Sequence, residues 1–134
     1  MKTLSLIVLG LSLAACDSAY AGGSYGYTSS NAPEVVTLAS SAAALTDSKG
    51  MTLYTFDKDD AGVSNCNGGC AKKWPPFAAK AGAKAPAAGF TIITRADGTS
   101  QWAKDGAPLY FWIGDKKAGD TNGDGVGGVW HTAH

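Results

Sequence analysis

Leu53-Tyr54-Thr55-Phe56-Asp57-Lys58-Asp59 and Leu109-Tyr110-Phe111-Trp112-Ile113-Gly114-Asp115 are the two stretches on which the fold depends. They stand at a constant offset of 56 residues, and the offset holds without gaps beyond them, pairing Gly50 with Gly106 and Trp74 with Trp130. A gapless offset of this length marks a duplicated unit. Each copy runs through a glycine-bearing polar turn, a Leu-Tyr-x-aromatic strand, an aspartate and a loop, and reaches a tryptophan 20 residues after its tyrosine. Alternation supports the strand reading: Tyr54 and Phe56 project from one face of an extended chain, Leu53 and Thr55 from the other. Tyr110 and Trp112 repeat the pattern.

Working outward, Phe90-Thr91-Ile92-Ile93-Thr94 and Ser100-Gln101-Trp102-Ala103 flank the Asp97-Gly98 turn and predict a hairpin. A further strand is expected over Val35–Leu38 or Ala43–Leu45. Short helix is expected only at Cys70–Trp74 and in the alanine-rich stretch Ala81–Ala88, where Pro86 limits it. Eighteen glycines and five prolines in 134 residues call for many tight turns and argue against a helical bundle. The expected fold is mainly β: two tandem repeats, about 35–78 and 90–134, forming one pseudo-two-fold antiparallel β domain with short helical turns. The length suits one domain and no second. Zero net formal charge excludes an electrostatic nucleic-acid binder, which needs a basic face to neutralise phosphates.

At the other end of the chain, Lys2 and the apolar run Leu4–Leu13 have the charged start and short hydrophobic stretch of a secretory signal over residues 1–15. The run is too short to span a bilayer. It ends in Leu13-Ala14-Ala15-Cys16, which resembles the lipobox of bacterial lipoproteins, in which the cysteine is diacylated and becomes the new N-terminus. Acyl chains would then anchor the chain, at about 0.8 kcal/mol per buried methylene. The competing reading is ordinary cleavage after Ala19-Tyr20-Ala21, which would discard Cys16. In a Gram-negative cell, Asp17 after the lipidated cysteine resembles an inner-membrane retention signal. Residues 16–34, rich in glycine, serine, alanine and tyrosine, read as the anchor residue followed by a flexible tether.

Tyr54-Thr-Phe-Asp-Lys-Asp59 and Tyr110-Phe-Trp-Ile-Gly-Asp115 both match Yx(FWY)xxD. With CxxxCAKKWPP, the Gln101-Trp102 pair and the ending GDTNGDGVGGVWH, they make the chain resemble the predicted lipoproteins named for that motif, a secreted repeat of unknown function. The likeness runs from about Val35 to His131. It implies export, the lipobox and the duplication; it supplies no activity, and no catalytic residue follows from it.

Several candidate sites stand beside plainer readings. Once Cys16 is lipidated, Cys66 and Cys70 remain, and in an oxidising compartment they are expected to pair as a loop clip. A reduced metal site using these thiols with His131 is the alternative. In the second copy the same positions are Asn122 and Val126, so something else must order that loop. Asp120-Thr-Asn122-Gly-Asp124-Gly resembles the first half of a calcium loop, although His131 stands where a bidentate glutamate belongs; the plain reading is a turn bonded to its own backbone. His131 and His134, spaced H-x-x-H, are a candidate set for copper, zinc or haem iron, against a frayed tail. Tyr54, Phe56, Trp74, Trp102, Tyr110, Trp112 and Trp130 either form a stacking cleft for a flat ligand or fill the core. Asp59 and Asp115 close each motif without a histidine or nucleophile nearby in sequence. The expected role is a noncatalytic extracytoplasmic module, membrane-tethered and facing the periplasm or cell exterior. It would bind an envelope protein or small ligand at the seam between its repeats; the alternative is a redox accessory carrying a metal or haem.

Overall fold

A computed structural model describes residues 44–134, which fall within one compact unit, Asn31–His134. The expected signal, the tether and the strand at Val35–Leu38 lie outside the described residues. Among those described, the chain runs through β1 (Tyr54–Phe56), α1 (Gly69–Lys73), β2 (Phe90–Thr94), β3 (Ser100–Lys104), β4 (Ala107–Pro108), a 3-10 turn (Val126–Gly128) and β5 (Trp130–Thr132). β1 pairs antiparallel with β5, and β2, β3 and β4 form an antiparallel sheet in that order.

The duplication is visible as a two-fold relation centred on the motif tyrosines. Tyr54 N–H donates to Tyr110 C=O at 2.8 Å, and Tyr110 N–H returns a bond to Tyr54 C=O at 2.9 Å. Outward from this pair the next backbone contacts come in mates. Ala133 N–H donates to Leu53 C=O at 2.9 Å, as Phe77 N–H does to Leu109 C=O at 2.8 Å. Leu45 N–H meets Ala133 C=O at 2.7 Å, as Trp102 N–H meets Phe77 C=O at 2.9 Å. The segment around Leu45, where Thr46 bridges Thr52, therefore does in the first copy what β3 does in the second.

The second copy departs from expectation in one respect: the strand predicted at Leu109–Trp112 is reduced to single bridges, one of them Tyr110 to Pro76. The reason is chemical. β1 pairs Thr55 with His131, and the equivalent of His131 is Pro75, which has no N–H to give. Phe111 N–H still donates to Pro75 C=O at 2.8 Å, but nothing comes back. The alanine-rich stretch 81–88 also forms turns without helix, whereas the helix expected at Cys70–Trp74 appears as α1.

Alternation along the motif strand divides the core in two. Leu53 and Leu109 join Leu45, Phe90, Trp102 and Ala133 in one buried cluster, and Tyr54 and Tyr110 join Cys66, Trp74 and Trp130 in another. The two copies also meet through their turns. Gly50, at φ +80°, presses against Ala118, where an added Cβ would come within 2.9 Å of the alanine methyl. Gly119 N–H donates to Gly50 C=O at 3.1 Å, and Gly62 N–H does the same to Gly106 C=O at 2.7 Å.

Candidate functional site

Within each motif, tyrosine and aspartate are five residues apart, yet they do not pair with each other. Tyr54 hydroxyl donates to Asp115 Oδ2 at 2.7 Å, and Tyr110 hydroxyl donates to Asp59 Oδ2 at 2.7 Å. Each copy thus supplies the acceptor for the other copy's phenol. Both tyrosines are fully buried and Asp115 is 7 % exposed, so these charge-assisted bonds work in a medium where losing them is costly. Burial, reinforced by the carboxylate that accepts its proton, pushes the Tyr54 phenol far above its usual range. Burial does the same to Tyr110, with Ser64 partly opposing and Asp59 reinforcing.

The same crossing builds the aromatic seam. Trp74 and Trp130, equivalent residues, stack on the pseudo-axis with centroids 3.7 Å apart and planes inclined by 4°. Phe56 covers the outer face of Trp130 at 4.2 Å, and Trp112 covers that of Trp74 at 4.2 Å. Tyr54 meets Trp74 edge-on at 5.4 Å, as Tyr110 meets Trp130 at 5.2 Å. Six of the seven rings proposed from sequence for a stacking cleft therefore pack against one another. Trp74 and Trp130 are each 4 % exposed, and only Phe56 and Trp112, at the two ends of the stack, are half-buried. Trp102 sits apart, in the other cluster. Gly123 is needed beside the stack, because a Cβ there would lie 2.8 Å from the Tyr54 ring and 2.9 Å from that of Trp74.

One polar network has no two-fold mate. Arg95, the only arginine in the chain, is 4 % exposed and reaches across the sheet into the first copy's loop. Its Nη1 donates to Ser64 Oγ at 2.7 Å and Gln101 Oε1 at 2.6 Å, and its Nη2 donates to Cys66 C=O at 2.7 Å. Ser64 Oγ lies 2.7 Å from Tyr110 hydroxyl, so the chain Arg95, Ser64, Tyr110, Asp59 is continuous. Gln101 Nε2 completes it by donating to Leu109 C=O at 2.7 Å. The sequence reading did not single out Arg95 or Ser64. The available signal was one arginine among ten lysines, placed two residues after the buried Ile93 on the same face.

Asp59 at the end of this network has its carboxyl raised above the ordinary 3.8: burial dominates, and the Asn65 N–H, the Tyr110 hydroxyl and Arg95 offset only part of it. Folding therefore favours the protonated form. The stability due to Asp59 is fully present below its ordinary value and is lost as pH rises through the raised folded one. Melting temperatures of the parent and of Asp59→Asn across this window are expected to show the parent's advantage shrinking as pH rises. A difference that grows with pH contradicts the assignment.

The loops are tied differently in the two copies. Cys66 and Cys70 form a disulfide with Cα atoms 5.2 Å apart, as expected. In the second copy, Asp115 Oδ1 accepts the Asn122 N–H at 2.9 Å and its Nδ2 at 3.2 Å, and Asp124 Oδ1 accepts Thr132 N–H at 3.0 Å. Asp120 Oδ2 accepts the N–H groups of Lys116 at 2.9 Å and Lys117 at 3.2 Å, and these bonds, Lys116 first, hold its carboxyl below the usual range. The calcium candidates Asp120, Asn122 and Asp124 thus serve three separate backbone or side-chain partners. Replacing both cysteines by serine is expected to cost about 2 kcal/mol by denaturant unfolding, the small value of a ring this short. A loss above twice that would show a role beyond clipping the loop.

The two histidines part company. His131 Nε2 lies 3.0 Å from Asp57 Oδ2, and His134 Nε2 lies 3.2 Å from Thr132 Oγ1. Among the described residues, no group of three or more His, Cys, Asp or Glu converges as a metal site. Two clefts open at the seam instead. One, of about 280 Å³, is lined by Asp47, Lys49, Pro76, Phe77 and Ala78 of the first copy and Phe111 of the second. The other, of about 220 Å³, lies between Phe56 and Asp59 through Ala61 on one side and Asp105 through Pro108 on the other.

A family model described as a secreted repeat of unknown function matches the chain twice, over residues 40–78 and 91–134. The chain belongs to this family. No curated protein and no solved structure matches it. The two matched segments of this secreted-repeat protein are the two halves that exchange tyrosine and aspartate contacts. A secreted family accords with export, and no helix among the described residues is long and apolar enough to cross a membrane.

Proposed function

We propose that this secreted-repeat protein is a lipid-anchored, noncatalytic module that binds an envelope partner at the seam between its repeats. The observation that supports this most is the larger cleft, to which both copies contribute. Phe77 and Phe111 meet edge-on at 5.4 Å and give it an apolar floor, while Asp47 and the exposed Lys49 supply charge at its rim. An apolar floor with a few polar groups that fix orientation is the general form of a binding site. Anchoring through Cys16 would tether the module to a membrane, where stable attachment needs two acyl chains or an equivalent second signal.

Both parts are open to test. A photo-reactive benzoylphenylalanine at Ser48, on the rim, is expected to give a discrete adduct in intact cells, and the same group at exposed Thr91 none. No adduct from Ser48, or equal adducts from both, overturns the binding reading. Separately, Cys16→Ala is expected to move the protein from the detergent phase to the aqueous phase on Triton X-114 partition. Unchanged partition would mean that Cys16 is removed with the signal.

A further inference from the structure

Three indoles, Trp112, Trp74 and Trp130, form an unbroken stack with centroid separations of 4.2 Å and 3.7 Å. The half-buried Trp112 is its oxidisable end, because the ring at the other end is Phe56, whose benzene is far harder to oxidise than an indole. From the inner indoles, edge contacts of 5.4 Å and 5.2 Å lead to Tyr54 and Tyr110. Each phenol already donates its proton to a carboxylate 2.7 Å away. We propose that this arrangement is a relay that takes a one-electron oxidation arriving at Trp112 inward and stores it on a buried tyrosine, making the protein a sink for oxidising radicals in the compartment to which it is exported.

The steps balance. A one-electron oxidant, an oxygen- or nitrogen-centred radical, removes one electron from the Trp112 indole and is itself reduced to its anion. The resulting indole radical cation takes an electron from Trp74, and Trp74 or its stacked partner Trp130 takes one from the tyrosine beside it. As Tyr54 gives up that electron, its phenolic proton moves along the existing hydrogen bond to Asp115 Oδ2. The products are a neutral tyrosyl radical, a protonated Asp115, and three indoles restored to their starting state. Tyr110 and Asp59 repeat the step on the other side of the pseudo-axis. Because both phenols hold their protons through any ordinary pH, electron loss alone would leave a buried cation, and the carboxylate in place removes that barrier. The indole steps are short: Trp112 is tilted by 32° against Trp74 at 4.2 Å, and Trp74 lies parallel to Trp130 within 4° at 3.7 Å.

The test is pulse radiolysis of the full mature protein with azide radical, which oxidises indoles, followed by transient absorption. An indole radical is expected first, giving way to a tyrosyl radical at a rate independent of protein concentration. Tyr54→Phe combined with Tyr110→Phe is expected to leave the indole radical long-lived. Asp115→Asn with Asp59→Asn is expected to slow the transfer by roughly a hundredfold, the low end of what a positioned proton acceptor contributes. Near-UV circular dichroism establishes that each variant is folded. Should the buried replacements fail that check, Trp112→Phe, a ring for a ring at a half-buried position, carries the test and is expected to lower the tyrosyl yield severalfold. Tyrosyl formation that depends on protein concentration, or that is unchanged in the folded variants, overturns the proposal.

Discussion

Trp130→Ala is expected to remove about 3–5 kcal/mol of stability, the usual cost of deleting a buried tryptophan. The loss belongs at the top of that range because three ring contacts go together: Phe56 at 4.2 Å, Trp74 at 3.7 Å and Tyr110 at 5.2 Å. Each such contact contributes roughly 0.5–1.5 kcal/mol beyond the area it buries. Trp130 is 4 % exposed and sits on the pseudo-axis, so neither half can close over the gap without losing its grip on the other. A domain of this size has a total stability of about 5–15 kcal/mol, and the variant is expected to be partly unfolded at 37 °C. Guanidinium unfolding monitored by far-UV circular dichroism reads the loss directly. Trp130→Phe, which keeps a stacking ring, is expected to recover much of it. A loss below about 1 kcal/mol in Trp130→Ala would show that the stack does not hold the halves together.

Arg95→Leu is the second large effect, about 3 kcal/mol, and it arises from polar groups left behind rather than from volume. Leucine fills part of the space but leaves Gln101 Oε1 and Cys66 C=O buried without their donor, at about 1–3 kcal/mol for each orphaned group. Ser64 keeps Tyr110 as a partner, which limits the total. Arg95→Lys is expected to be nearly as damaging, since a single ammonium cannot fork to acceptors on both sides as the planar guanidinium does. Amide hydrogen exchange separates this from a general loss of stability. Exchange should accelerate first at Asn65–Cys70, the loop that Arg95 holds from the other copy. Uniform acceleration across β2 and β3 would instead place the damage in the sheet.

What was legible in the sequence follows from which constraints are local. The repeat offset, the alternation of Leu53 and Tyr54 and the Asp97-Gly98 hairpin are local patterns, and each appears as a strand, a face or a turn. The Cys66 and Cys70 pair was equally open to reading, because the thiols are four residues apart in a chain of a secreted family. What was not legible shares a cause. Pro75 denies Phe111 a return hydrogen bond, and this matters only once the two segments are known to lie side by side. Asp120, Asn122 and Asp124 look like alternating ligands along the chain, but their partners Lys116, Asp115 and Thr132 are set by how the loop folds back. Arg95 is invisible to periodic reading because two of its acceptors, Ser64 and Cys66, come from a loop about thirty residues upstream. The aromatic rings were all named from the sequence; their stacking order required the two-fold relation.

The crossed tyrosine and aspartate contacts bear on how such a gene can drift. A change at Tyr54 is felt 61 residues away at Asp115, and one at Tyr110 is felt 51 residues away at Asp59, while the five-residue spacing inside either motif carries no direct contact. Mutations in one half must be answered in the other, so the halves are held to a common history long after duplication. In a set of homologous chains, compensating substitutions should fall at those two long separations. Recombination that exchanges one half between diverged relatives should yield fewer folded hybrids than exchange of both halves together.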